Sequence, residues 1–171
     1  SNNDIYVAGN EYIGSVNVAK YWKNGVETVL ADEADANSIC VTNNDVYVAG
    51  TDYSGSVGVA TYWKNGVAIY LNTDGVSSQG NEIYVNGDDV YVSGGLEGEP
   101  AYWKNGIPAI MSISDNSIIT GATAKSIIVH NDDIYVSGHY ATNSLEKIAV
   151  YWKNGEIVDL SNGEATSIFV K

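Results

Sequence analysis

The sequence predicts an all-β chain built from four copies of one four-stranded unit, and three observations predict it. The pentapeptide Tyr-Trp-Lys-Asn-Gly begins at residues 21, 62, 102 and 151. A second motif, Asp-(Ile/Val)-Tyr-Val-(Ala/Ser)-Gly, begins at residues 4, 45, 89 and 133. No stretch keeps apolar residues at i, i+3, i+4 and i+7 beyond about a turn, so no helix is expected. A period of roughly forty residues marks a repeat architecture.

Each strand of the unit has a local reason. Asn-Gly between two apolar runs is the strongest short signal for a two-residue hairpin, because both central residues of a type I′ turn need φ > 0. Tyr-Trp-Lys therefore ends a third strand, and the residues after Gly begin a fourth, as over 26–30 or 157–160. The Asp-(Ile/Val)-Tyr-Val motif is β-branched and aromatic, preceded by turn residues, and reads as the second strand. The first strand is a short run before it, over 38–41, 82–85, 126–129 and 167–170. Four antiparallel strands in about forty residues match one blade of a β-propeller.

In chain order, residues 4–9 open on a second strand and residues 167–170 supply one more first strand. The expected fold is a four-bladed β-propeller over residues 1–171, a single domain with four antiparallel strands per blade. Its ring is closed by the C-terminal strand joining the N-terminal blade, which removes an exposed sheet edge. The alternative is that two open chains pair into a larger ring.

Composition agrees. A chain of 171 residues is one domain's worth and can bury a core. Blades packed on both faces explain strands that are nearly continuous apolar and aromatic runs. The four Trp and most of the thirteen Tyr sit at repeat positions and are expected between blades. A net charge of −13 argues against nucleic acid or an anionic membrane surface as partner. No run reaches transmembrane length and no signal peptide is seen, so no membrane insertion is expected. Ser1 and Asn2 can be a tag remnant. Cys40 has no second cysteine to pair with and takes the slot of Tyr84, Ile128 and Phe169, which reads as core. No His, Cys and carboxylate cluster has metal-ligand spacing, and His130 and His139 both lie in connections. No Gly-rich loop opens a helix and no loop has the calcium pattern. Neither a metal nor a cofactor is expected, and the chain is expected to be a monomer.

Strand order sends the short turns to one end of each blade and the longer connections to the other. The short end repeats Asp45, Asp89 and Asp133 with Lys23, Lys64, Lys104 and Lys153, expected as solvated surface pairs. The other end is expected to carry loops over 10–17, 51–58, 95–99 and 139–147, and over 31–37, 72–81, 114–125 and 161–166. Function on rigid scaffolds concentrates in such loops. Glu11 with Tyr12, Asp52 with Tyr53, and His139 with Tyr140 recur there and are the candidate ligand-binding residues; the competing reading is that these Tyr cap the core between blades. The third unit lacks the Tyr. Small residues, Ala36, Gly80, Ala124 and Ala165, suit close approach to a central axis. Ser38, Glu82, Ser126 and Ser167 follow them as candidate channel-lining residues, with ordered water the simplest occupant.

The alternation of Asp-(Ile/Val)-Tyr-Val-(Ala/Ser)-Gly with Val-Ala-x-Tyr-Trp-Lys-Asn-Gly over nearly the whole chain resembles a bacterial family of repeat proteins, largely uncharacterised and often secreted or lipoprotein-like. The resemblance implies a propeller in an extracellular or cell-envelope setting and implies no catalytic residues. The third unit departs from it, its loop cut to residues 95–100. The leading expectation is a non-enzymatic binding or scaffold module presenting its loops to a protein, peptide or glycan. The alternative is a polysaccharide-acting hydrolase or lyase with carboxylates such as Glu82 at the channel mouth.

Overall fold

A computed structural model describes residues 3–72, 74–113, 119–142, 144 and 146–171. Ser1, Asn2, Thr73, residues 114–118, Asn143 and Leu145 lie outside the described residues, and with them parts of the loops expected over 72–81, 114–125 and 139–147. Among the described residues there are fifteen strands and no helix, arranged as four antiparallel sheets. The first sheet has three strands, β1 (Tyr6–Ile13), β2 (Val16–Lys23) and β3 (Val26–Asp32). The second has β4 (Ala34–Thr42), β5 (Asp45–Asp52), β6 (Val59–Lys64) and β7 (Val67–Tyr70). The third has β8 (Ser78–Asn86), β9 (Asp89–Leu96), β10 (Glu99–Lys104) and β11 (Ile107–Ile110). The fourth has β12 (Ile119–His130), β13 (Asp133–Thr142), β14 (Lys147–Lys153) and β15 (Glu156–Asn162).

The Asn-Gly turns form as their chemistry requires. Asn24, Asn65, Asn105 and Asn154 have φ of 51–52°, and the Gly after each has φ of 81–88°. Each Asn also ties its turn down. Asn65 Oδ1 accepts from Val46 N at 2.9 Å, and its Nδ2 donates to Asp45 Oδ1 at 2.8 Å. The same pair of bonds recurs at Asn24, Asn105 and Asn154.

Most of the expected long loops are shorter than the sequence suggests. β1 and β2 pair through Ile13 and Val16, leaving only Gly14 and Ser15 as the turn, so residues 10–17 are largely hairpin. β9 and β10 pair through Leu96 and Glu99 across Glu97 (φ 53°) and Gly98 (φ 84°). Between β3 and β4 only Glu33 intervenes, also at positive φ. Polar and glycine residues there read as loop, but strand pairing satisfies their backbone better than solvent does.

The sheets pack face to face in chain order. Ala19, Ala34, Ala36, Val46, Val48 and Trp63 fill the first interface. Tyr47, Ala49, Ile83, Val92 and Trp103 fill the second, and Tyr91, Met111, Ile127, Val136 and Trp152 the third. Trp63, Trp103 and Trp152 are fully buried, each facing the preceding sheet. Truncating a side chain of this kind to Ala costs about 3–5 kcal/mol. Cys40 is half-buried and packs against the second interface, and burial holds its thiol above the usual range.

Each complete sheet bulges in its first strand, at Ala36/Ser38, Gly80/Glu82 and Ala124/Ser126. Just before each bulge a first-strand carbonyl meets the repeated Gly of the second strand. A Cβ on Gly50 would sit 1.7 Å from Asp35 O, on Gly94 1.8 Å from Gln79 O, and on Gly138 1.9 Å from Thr123 O. These three glycines are required by close approach of backbone, not by φ. Residues 164–171 form no strand.

Candidate functional site

The short-turn end is a fourfold repeat of one charged cluster. Lys64 Nζ lies 2.9 Å from Asp45 Oδ2 and 5.1 Å from the centre of the Tyr47 ring. The same arrangement joins Lys23, Asp4 and Tyr6; Lys104, Asp89 and Tyr91; and Lys153, Asp133 and Tyr135. The lysine holds the carboxyls of Asp4, Asp89 and Asp133 below the usual range, with the Asn amide second; at Asp45 the Asn65 amide leads and Lys64 follows. The lysines are pushed up, Lys23 and Lys64 by the Tyr first and the Asp second, Lys104 and Lys153 by the Asp first and the Tyr second. The charges here are paired within the repeat, so this end is built to hold its turns.

The opposite end differs from sheet to sheet. On the first, Glu11 pairs with the buried Lys20, which also meets Glu27 Oε2 at 2.9 Å. Tyr12 beside it is 76% exposed. On the second, Asp52 is buried and caps its own turn, accepting from Ser54 N at 2.9 Å and Ser54 Oγ at 2.5 Å. Tyr53 is 44% exposed, with one ring edge against Gly58, and burial followed by the Asp35 charge raises its hydroxyl pKa. On the fourth, Tyr140 packs against the third interface and its hydroxyl donates to Asp159 at 3.4 Å. His139 is buried, with Nδ1 3.9 Å from Glu164 Oε2. The six candidate residues thus belong to three local networks on three sheets. Tyr12 and Tyr53 turn outward, while Tyr140 caps core.

One polar cluster here escaped sequence reading. Asp35 accepts from the side-chain amides of Asn10 and Asn17, and the carbonyl of Asn17 is buried without a partner. These residues are distant in sequence, and no spacing signals their meeting. A small polar cleft of about 110 Å³ lies between the third and fourth sheets, lined by Gln79, Asn81, Gly95, Ala122 and Thr123 among others. Among the described residues no group of three or more His, Cys, Asp or Glu is placed to hold a metal ion. No helix among them is long and apolar enough to cross a membrane.

The candidate channel residues act between sheets. Ser38 Oγ accepts from Ile83 N at 3.3 Å, Glu82 Oε2 from Ile127 N at 2.5 Å, and Ser126 Oγ from Ile168 N at 3.3 Å. Each first strand thereby holds an amide of the next, and Ser126 extends the series to the C-terminal segment. Ser167 is exposed. The bulged residues add a second joint: Asn37 Nδ2 donates to Gly80 O at 2.8 Å, and Asn81 Nδ2 to Ala124 O at 2.7 Å.

A scan against models of known protein families finds no match to this chain, and a search of curated proteins finds no relative.

Proposed function

We propose that this chain is a monomeric four-bladed propeller and a non-enzymatic binding module, presenting its variable end to a protein, peptide or glycan outside the cell or in a bacterial envelope. The contrast between the two ends carries this reading. At the short-turn end one cluster recurs four times with its charges paired. At the other end each sheet differs, and large aromatic side chains, Tyr12 and Tyr53 among them, stand exposed. Exposed tyrosines supply contact area at low entropic cost, with a polar tip for hydrogen bonding. The acidic balance, −13 overall, suits a neutral or basic ligand.

Ring closure is supported by the first sheet, which is built for a strand it lacks. Val7 is 51% exposed, whereas its counterparts Val48, Val92 and Val136 are each 1% exposed. Trp22 is half-buried where the other three Trp are fully buried. Gly9 meets no backbone, although Gly50, Gly94 and Gly138 each meet a first-strand carbonyl. The Ser126 Oγ contact to Ile168 N matches the Ser38 and Glu82 contacts between the other first strands, which supports this reading. Pairing residues 166–170 with β1 would cover Val7 and give Gly9 its missing neighbour.

The binding reading is tested by passing glycan and peptide panels over the immobilised protein. A ligand retained by the wild type is expected to be lost on joint substitution Tyr12→Ala and Tyr53→Ala, with the melting temperature unchanged. No retention across the panels, or retention that ignores both substitutions, sinks the proposal.

A further inference from the structure

The chain holds six Asn-Gly pairs, at Asn24, Asn65, Asn86, Asn105, Asn154 and Asn162. An asparagine before glycine loses its side-chain amide most readily, because a residue without a side chain lets its own N approach the Asn Cγ. All six asparagines are exposed, so access to water does not separate them. Hydrogen bonding does. At Asn24, Asn65, Asn105 and Asn154 a backbone N–H holds the side-chain carbonyl and an Asp holds the side-chain NH2, at 2.7–2.9 Å. Such a side chain must give up both bonds before it can swing over its own following peptide. At Asn162 the nucleophile is engaged instead, since Gly163 N donates to Lys147 O at 2.8 Å. Asn86 has neither restraint. It ends β8, its side chain has no hydrogen bond among the described residues, and Gly87 N in the turn donates to no backbone carbonyl there.

We infer that Asn86 is the deamidation site of this protein, and that its conversion sets a second carboxylate against the third short-turn cluster. Gly87 N attacks Asn86 Cγ. The N–Cγ bond forms, the Cγ–Nδ2 bond breaks, and the Gly87 amide proton passes through water to the leaving group, which departs as ammonia. Water then opens the cyclic imide at one carbonyl or the other and leaves aspartate or isoaspartate.

The register gives the conversion a consequence. Asn86 lies directly opposite Asp89, the acid that Lys104 pairs at 2.8 Å. Thr42 opposite Asp45 and His130 opposite Asp133 take the same place in the second and fourth sheets, and neither can become a carboxylate. A carboxylate at residue 86 repels Asp89 across the strand pair and competes with it for Lys104. Asp88 in the turn adds a third acid beside them.

Timed peptide mapping by mass spectrometry on the folded full chain, held in mildly alkaline buffer, tests the site. Asn86 is expected to exchange amide for acid about tenfold faster than the four turn asparagines, the factor that two lost hydrogen bonds impose, and faster than Asn162. In denaturant the six rates are expected to draw together. Asp45→Ala frees the Asn65 NH2 and is expected to raise the Asn65 rate several-fold while that of Asn105 holds. Asn86→Asp imitates the product, and carboxyl titration by NMR is expected to find Asp89 protonating at higher pH in that variant than in wild type. Equal rates in the folded chain, a turn asparagine converting first, an Asn65 rate indifferent to Asp45→Ala, or an unmoved Asp89 titration each overturns the inference.

Discussion

Asn65 shows how much one residue contributes at a turn. Its φ of 51° lies in the left-handed region, where a side chain other than Asn, Asp or Gly is strained by about 1–2 kcal/mol. Its amide also makes two hydrogen bonds, to Val46 N and Asp45. Asn65→Ala is expected to cost about 1–2 kcal/mol by denaturant unfolding, since water replaces part of the exposed pair. Asn65→Gly relieves the backbone but loses both bonds, and is expected to fall between wild type and Ala. These turns were fully legible in sequence, because Asn-Gly acts on its own two φ angles. His139 was legible only as a residue in a connection, and nothing near it in sequence shows that it is buried.

At the scale of the element, the short-turn cluster links two hairpins of one sheet through Asp, Lys, Tyr and Asn. Because the four Asp pKa values are lowered, the unfolded chain binds more protons in acid. The stabilisation is complete above the ordinary carboxylate pKa near 4 and is lost as pH falls through the lowered values. Asp45→Asn removes one of the four titrating groups. A plot of melting temperature against pH is expected to fall less steeply below pH 4 in that variant than in wild type; an identical slope would show that the clusters do not sense acid. The strand pairs themselves followed from local pattern. The hairpin tips at Gly14 and at Glu97-Gly98 did not, since polar turn residues look the same whether strands stop or continue beside them. The bulges were hidden for a further reason. Asn37 and Asn81 leave the ladder to bond the neighbouring sheet, and that neighbour is about forty residues away.

At the scale of the molecule, the glycines provide a test of closure. Gly94→Ala drives a methyl into Gln79 O and is expected to cost roughly 2–3 kcal/mol. Gly9→Ala meets nothing but the Trp22 ring at 3.4 Å unless the C-terminal segment joins β1. Comparable destabilisation by the two substitutions in denaturant supports a closed ring, whereas a neutral Gly9→Ala would falsify closure through β1.

The sequence by itself determined the all-β class, the repeat, the strand order within each sheet and the Asn-Gly turns. Each of these rests on contacts within a few residues or on alternation along one strand, and such contacts are written locally. Only the tertiary structure decided that Ser38 and Glu82 hold the next strand's amide and Ser126 that of Ile168, that Asp52 and Tyr140 turn inward while Tyr12 and Tyr53 turn outward, and that His139 is buried with Nδ1 unpaired. Those outcomes depend on which face of one sheet meets which face of the next. The repeat brings the same positions together at every interface, but the single residue that differs decides the chemistry there.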